Sequence, residues 1–300
     1  LWGEHTRMMP VFAARPRLRR SKTEETLSGG SVQVWGENLY YEAAGVSEYG
    51  PSMLFLHESG GSAMTWHGQL VGLAQSARCL VLDLPGHGRS EGHGFRSVSG
   101  YRQALTAFLD ALAIRWPVVV AGVCLGAAVA TDLALYAPER VAGLVLAGIC
   151  DGGRACDRVW RQAGGGDAPD EFVHGLFSHK ASAHIVSRRL QGWRTTSPAV
   201  RYGDLTAVRE YPLRRALRAV RHPMLLVAGE EDPIAGPAAI GDLAAGVARG
   251  RVATVPGAGC LCMLEQPAAF NRLAGEFLTG LGEAGPGLPH VGRPGGYRRA

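Results

Sequence analysis

The chain has 300 residues, 46% of them hydrophobic, and a formal net charge of +5. No apolar run approaches the roughly 18 residues of a membrane span, which argues against a membrane partner. The length suits one α/β domain with an insertion. The positive charge belongs to the ends: residues 1–22 carry a net +5 and residues 283–300 a net +2, so the body between them keeps −2 of the total. That distribution argues against a folded basic face and so against nucleic-acid binding.

Residues 1–30 are expected to form a disordered N-terminal tail. Arg15, Arg17, Arg19 and Arg20 crowd it without the apolar core of a secretory signal, and its first residues read as sequence upstream of Met8 or Met9. Residues 31–34 and 39–43 flank Gly36-Glu37-Asn38 and read as a hairpin. A short apolar strand follows at 53–56, a helix at 65–74, and a strand at 77–82 that runs into Asp83-Leu84-Pro85-Gly86. Leu105, Phe108, Leu109 and Leu112 recur at helical spacing and predict a helix over 98–112. Residues 117–122 form a β-branched run of the kind central parallel strands show. A helix is expected over 125–136 and a strand over 141–147.

The rhythm then breaks. Residues 151–211 hold no strand pattern, only helix-like pieces interrupted by Gly164-Gly165-Gly166, Pro169 and Pro198. They are expected to form a helical lid inserted between two parts of an α/β core, residues 31–150 and 212–282. Strands at 224–227 and 252–255 and helices at 237–247 and 267–281 complete the second part. Residues 283–300, rich in Gly, Pro and Arg, read as a disordered tail. Alternation of strands and helices predicts a largely parallel sheet covered by helices on both faces.

The chemistry concentrates at Gly122-Val123-Cys124-Leu125-Gly126, between a β-branched strand and an Ala-rich helix. A nucleophile there sits on a strained strand-to-helix turn, and the residues two before and two after it must be small. The helix N-terminus favours a thiolate or an oxyanion at that point. The alternative is a buried structural cysteine at a Gly-rich turn. The chain has six cysteines, Cys79, Cys124, Cys150, Cys156, Cys260 and Cys262, with no CxxC pair. They do not read as a disulfide framework, and a reduced, cytoplasmic setting is expected. No metal and no cofactor is expected.

In this order of elements the chain resembles the α/β-hydrolase superfamily, in its branch of lidded esterases and enol-lactonases, over roughly residues 31–282. Leu56-His57-Glu58-Ser59-Gly60-Gly61-Ser62 is similar to the family's HG-rich loop, and Asp83-Leu84-Pro85-Gly86-His87-Gly88-Arg89-Ser90 to its DLPGHGRS signature. Pro138-Glu139-Arg140-Val141 resembles the segment after the elbow helix. Gly229-Glu230-Glu231-Asp232 resembles the GxxD that supplies the acid. Gly257-Ala258-Gly259-Cys260 with Leu264-Glu265-Gln266-Pro267 stands where the family reads AGH…LEQP. The resemblance implies an eight-stranded sheet, Cys124 as nucleophile, Asp232 as acid with Asp151 as the rival position, and an oxyanion hole from the backbone amides of Ser59 and Leu125.

Two departures qualify what it implies. The family's general base is a histidine where this chain has Cys260, and a thiol does not replace imidazole in both proton transfers. Cysteine needs less help from a base than serine does, so the paired changes are chemically consistent. They also fit a retired hydrolase. Glu58 follows the loop histidine where the family has glycine; it either enters the pocket as an acid or base or braces the loop. His174, His179 and His184 of the lid are candidates for the missing base. Cys124 and Cys260 are expected to adjoin, a disulfide being favoured over a zinc site. Three functions follow: turnover of a small or medium ester, lactone or thioester through Cys124; elimination or cyclisation on the same scaffold; or binding of a small molecule without catalysis. Oligomeric state is not legible.

Overall fold

The computed structural model describes residues 27–45, 51–149 and 170–283. Strands β1 (Ser28–Val34) and β2 (Glu37–Ala44) form the expected hairpin. Trp35 and Gly36 at its tip both have positive φ, 54° and 89°, as the tightest hairpin turn requires. β1 begins at Ser28 rather than at residue 31, because Gly29 and Gly30 pair with Glu42 and Tyr41. The sheet continues through β3 (Ser52–Leu56), β4 (Arg78–Leu82), β5 (Val118–Val123), β6 (Val141–Ala147), β7 (Met224–Gly229) and β8 (Gly250–Val255). Its eight strands lie in the order β1-β2-β4-β3-β5-β6-β7-β8, antiparallel only at β1–β2 and β2–β4.

Every residue of β3, β5 and β7 is buried. Such strands need both faces covered, and their alternating side chains enter two separate cores. Leu54, Leu56, Val118, Val120, Leu144 and Leu226 pack with residues of α2 (Val98–Ala111) and α3 (Leu125–Tyr136) on one face. Met53, Phe55, Val119, Ala121, Val145 and Val227 pack on the other against Trp66, Leu70 of α1 (His67–Gly72) and Phe270 of α10 (Pro267–Glu283). The helix expected over 65–74 is split. A 3-10 turn at Ala63–Trp66, capped by Ser62, precedes α1.

Between β6 and β7 the described residues hold four helices and no strand: α4 (Asp170–His174), α5 (Ala183–Thr195), α6 (Pro198–Glu210) and α7 (Leu213–Ala219). Pro198 opens α6 at its first turn, where a missing N–H costs nothing; α7 has no counterpart among the expected elements. Residues 150–169, with Asp151, Cys150 and Cys156, lie outside the described residues, as do 1–26 and 284–300. The chain closes with α8 (Pro237–Ala244), α9 (Cys262–Glu265) and α10, which extends to Glu283.

The parallel strands are in register at their carboxyl ends: Leu56 beside Gly122, Val123 beside Ala147, Ala147 beside Val227, Gly229 beside Val255. Open α/β sheets present their ligand sites at that edge. The loops carrying Glu58, Cys124, Asp232 and Cys260 all leave from it.

Candidate active site

Cys124 joins β5 to α3 with φ 50° and ψ −108°. A side-chain-bearing residue with positive φ is held there only by its surroundings. Those surroundings explain the flanking glycines. A Cβ on Gly122 would lie 2.3 Å from the Gly126 carbonyl oxygen, and one on Gly126 would lie 2.1 Å from that of Leu56. The turn leaves Cys124 partly exposed, whereas Cys79, Cys260 and Cys262 are buried.

Cys260 follows β8 and brings its Sγ to 3.7 Å from that of Cys124; both are free thiols. The loop is pinned by Glu265, which accepts from the Gly259 amide (2.8 Å) and from the Ser178 hydroxyl (2.6 Å) of the helical insertion. Asp232 follows β7. Its Oδ1 accepts from the amides of Ile234 (2.8 Å) and Ala235 (3.0 Å). Its Oδ2 is buried with no hydrogen-bond partner among the described residues. Burial raises the Asp232 carboxyl above the ordinary range, against the downward pull of those two amides and the Cys260 thiol. The Cys260 thiol is pushed well up by its contact with Cys124, by burial and by the Asp232 charge. Cys124, Cys260 and Asp232 therefore lie together at the carboxyl edge of the sheet.

The amide of Leu125 opens α3, where a helix has no internal acceptor to offer. Neither it nor the Ser59 amide has a hydrogen-bond acceptor among the described residues. The Ser59 loop is held from several sides. His57 donates through Nδ1 to the Glu58 carbonyl (2.7 Å) and accepts at Nε2 from the Leu84 amide (3.0 Å). Burial, then the neighbouring His87, lower its pKa well below the ordinary value, so the ring stays neutral.

Glu58 lies beside a partner from α5. Arg189 sets Nε 2.5 Å from its Oε1, with both side chains buried, and the Thr65 hydroxyl donates to the same oxygen at 3.3 Å. The Arg189 guanidinium also donates to the carbonyls of Ser59 (2.6 Å) and Gly60 (3.0 Å). From α6, Asp204 accepts from the Ser59 hydroxyl (2.7 Å), from His87 Nε2 (2.9 Å) and from the Tyr101 hydroxyl. His87 Nδ1 meets the Pro85 carbonyl at 3.1 Å, so both ring nitrogens face acceptors. Burial lowers the His87 pKa, but the Asp204 carboxylate outweighs it and the net shift is upward.

Arg189 and Asp204 were missed by the motifs. They stand on the buried stripes of their helices, with Val186 and Trp193 on α5 and with Val200 and Ala207 on α6. A charge within an apolar i, i+3, i+4, i+7 stripe is the signal that marks them. The candidate histidines His174, His179 and His184 of the helical insertion are all exposed, and His179 meets Glu231 at 2.6 Å. Among the described residues no group of three or more His, Cys, Asp or Glu is placed to hold a metal ion. No helix there is long and apolar enough to cross a membrane.

Comparison with known proteins agrees with this arrangement. Residues 53–273 match the profile of the Alpha/beta hydrolase family. A haloalkane dehalogenase of Mesorhizobium japonicum is 28% identical over 250 residues, covering 72% of this chain and 80% of that protein. A pimeloyl-[acyl-carrier protein] methyl ester esterase of Nitrosomonas europaea is 29% identical over 240 residues, covering 74% and 93%. The solved structure of a thermophilic esterase from Thermogutta terrifontis superposes with a TM-score of 0.74 at 23% identity, covering 85% of this chain and 99% of that one. With that profile match spanning most of the sheet and its crossover helices, the chain belongs to the alpha/beta hydrolase family of enzymes.

Proposed function

We propose that the protein is an acyl-transfer enzyme acting on a small or medium ester, lactone or thioester through Cys124, with the residues of the helical insertion as its lid. The observation that carries this reading is the partly exposed thiol at positive φ on the elbow, at the N-terminus of α3. The Cys124 thiolate adds to the substrate carbonyl, and the carbonyl electron pair moves to oxygen beneath the Ser59 and Leu125 amides. Collapse of that adduct expels the leaving group and leaves an acyl thioester on Cys124; water then adds to its carbonyl, the C–S bond breaks, and the free acid and the Cys124 thiol are released. Cys260 replaces imidazole, so no group of ordinary basicity returns a proton to the leaving atom. Substrates whose leaving group departs without protonation suit this site best, which favours thioesters and enol esters over alkyl esters. Glu58 serves as a brace for the oxyanion loop through Arg189. The test is mass spectrometry of the protein after a thioester pulse, with turnover compared for thioester and alkyl ester. An acyl adduct on Cys124 and loss of turnover in Cys124→Ala are expected. Turnover that survives Cys124→Ala sinks the reading.

One observation favours a second reading, elimination or cyclisation on the same scaffold. The buried Asp232 carboxyl, beside the Cys260 thiol, has its proton affinity raised by burial. Such a group suits proton abstraction without a covalent adduct. Loss of turnover in Asp232→Asn with retention in Cys124→Ala distinguishes it.

A further inference from the structure

Cys124 and Cys260 stand 3.7 Å apart, sulfur to sulfur, without being bonded. A disulfide requires about 2.05 Å, so the two sulfurs are short of a bond by under about 2 Å. The space for both sulfurs exists because residue 148, at the end of β6, is a glycine with φ +54°. A Cβ there would lie 2.8 Å from the Cys260 sulfur and 3.0 Å from that of Cys124. The two thiols differ in access. Cys124 meets solvent at the N-terminus of α3, whereas Cys260 is 1% exposed behind it. One thiol is therefore reachable by a small oxidant, and the other waits within bonding reach on the buried side.

We infer that Cys124 and Cys260 form a redox-active dithiol that reduces peroxides, with Cys124 as the attacked thiol and Cys260 as the resolving one. The Cys124 thiolate attacks one peroxide oxygen; the S–O bond forms, the O–O bond breaks, and the departing alkoxide or hydroxide takes a proton from water. Cys260 then attacks the Cys124 sulfur. The S–S bond forms, the S–O bond breaks, and the hydroxyl leaves with the Cys260 proton as water. Two thiols and one peroxide become one disulfide, one alcohol or water, and one water. A small dithiol restores the pair by exchange and is itself oxidised to its disulfide. The contact with Cys124, and then burial, favour a protonated Cys260 until that step, which supplies the proton for the departing hydroxyl. While the bond stands, Cys124 is withdrawn from acyl transfer.

This inference uses the thiols of the proposed acyl-transfer site but does not require acyl transfer, and the two are read separately. The reduced full-length protein is treated with one equivalent of hydrogen peroxide, its free thiols are counted, and its peptides are mapped. Loss of two thiols per chain is expected, with a Cys124–Cys260 cross-linked peptide that dithiothreitol reverses. With excess dithiothreitol, wild type should consume many equivalents of peroxide, and Cys124→Ser should fall to the protein-free background. Cys260→Ser should give no cross-link and a sulfenic acid on Cys124 that dimedone traps. Should that variant fail to fold, the wild-type peptide map decides alone. A cross-link formed instead by Cys262, Cys150 or Cys156, or a Cys124 sulfenic acid persisting in wild type, overturns the inference. The thioester assay, run on reduced protein without peroxide, fails or succeeds independently.

Discussion

Two groups of buried polar side chains border the loop of Glu58 and Ser59, and they are partnered to different degrees. On the side of the helical insertion, Asp204 accepts from Ser59, His87 and Tyr101 together, and Arg189 pairs with Glu58 Oε1 and donates to two loop carbonyls, while Glu58 Oε2 has no hydrogen-bond partner among the described residues. On the side of the elbow, Asp232 Oδ2 likewise has no hydrogen-bond partner among the described residues, and two free thiols face each other. A buried polar group is ordinarily satisfied because leaving it unpaired costs about 1–3 kcal/mol. The bonds that Asp204 and Arg189 make to the loop are thus explained by holding it in place. Two free thiols in contact, one of them accessible, call for another explanation, and the geometry offers chemistry.

The contrast can be broken at its well-partnered end. Asp204→Ala strands a buried histidine and two hydroxyls at once, and Arg189→Ala strands the buried Glu58. Each is expected to cost about 3–5 kcal/mol in denaturant unfolding, the range for removing one member of a buried ion pair. Cys260→Ala, at the sparse end, should cost well below that. Equal losses at the two ends would remove the distinction.

The contrast can be sharpened at the other end by supplying the missing donor. Cys260→His places an imidazole where the bare Asp232 oxygen can accept its N–H and where Cys124 lies within reach. General-base catalysis is worth about 10²–10⁴-fold. The lower figure is expected here for alkyl ester hydrolysis, because Cys260 is fully buried and the larger ring must make room. Adding Cys124→Ser tests whether the pair acts as a unit. A folded double variant with no gain over wild type on activated esters would mean that the cleft does not support acyl transfer.

The smallest effect is a pH dependence. The His87 pKa is raised in the folded protein. The stability it contributes is therefore fully present below about pH 6.5, the ordinary imidazole value, and is lost as pH rises through the higher folded value. Melting temperature should fall over that interval in wild type, and the fall should flatten in Asp204→Asn. A wild-type profile identical to that of Asp204→Asn would show that the pair does not titrate.

The elbow was legible in the amino-acid order because its cause is local. Gly122 and Gly126 are glycine for contacts that a tight strand-to-helix turn imposes within a few residues and with the next strand, so the spacing alone announces the geometry. The strands were legible for a similar reason: runs buried on both faces must be apolar throughout. Their carboxyl ends then place Asp232 and Cys260 near Cys124 by topology. The partners of Glu58 and Ser59 were not legible. Arg189 lies 131 positions beyond Glu58 and Asp204 lies 145 beyond Ser59, on helices whose sequences carry no motif. Whether Glu58 is an acid in the pocket or a brace for a loop depends on which distant charge faces it. Sequence alone determined that Cys124, Asp232 and Cys260 fall at neighbouring strand ends, because backbone sterics and sheet order act along the chain. Only the tertiary structure decided which charges are neutralised, because a buried charge is stabilised by whichever partner packing brings against it, regardless of separation in sequence.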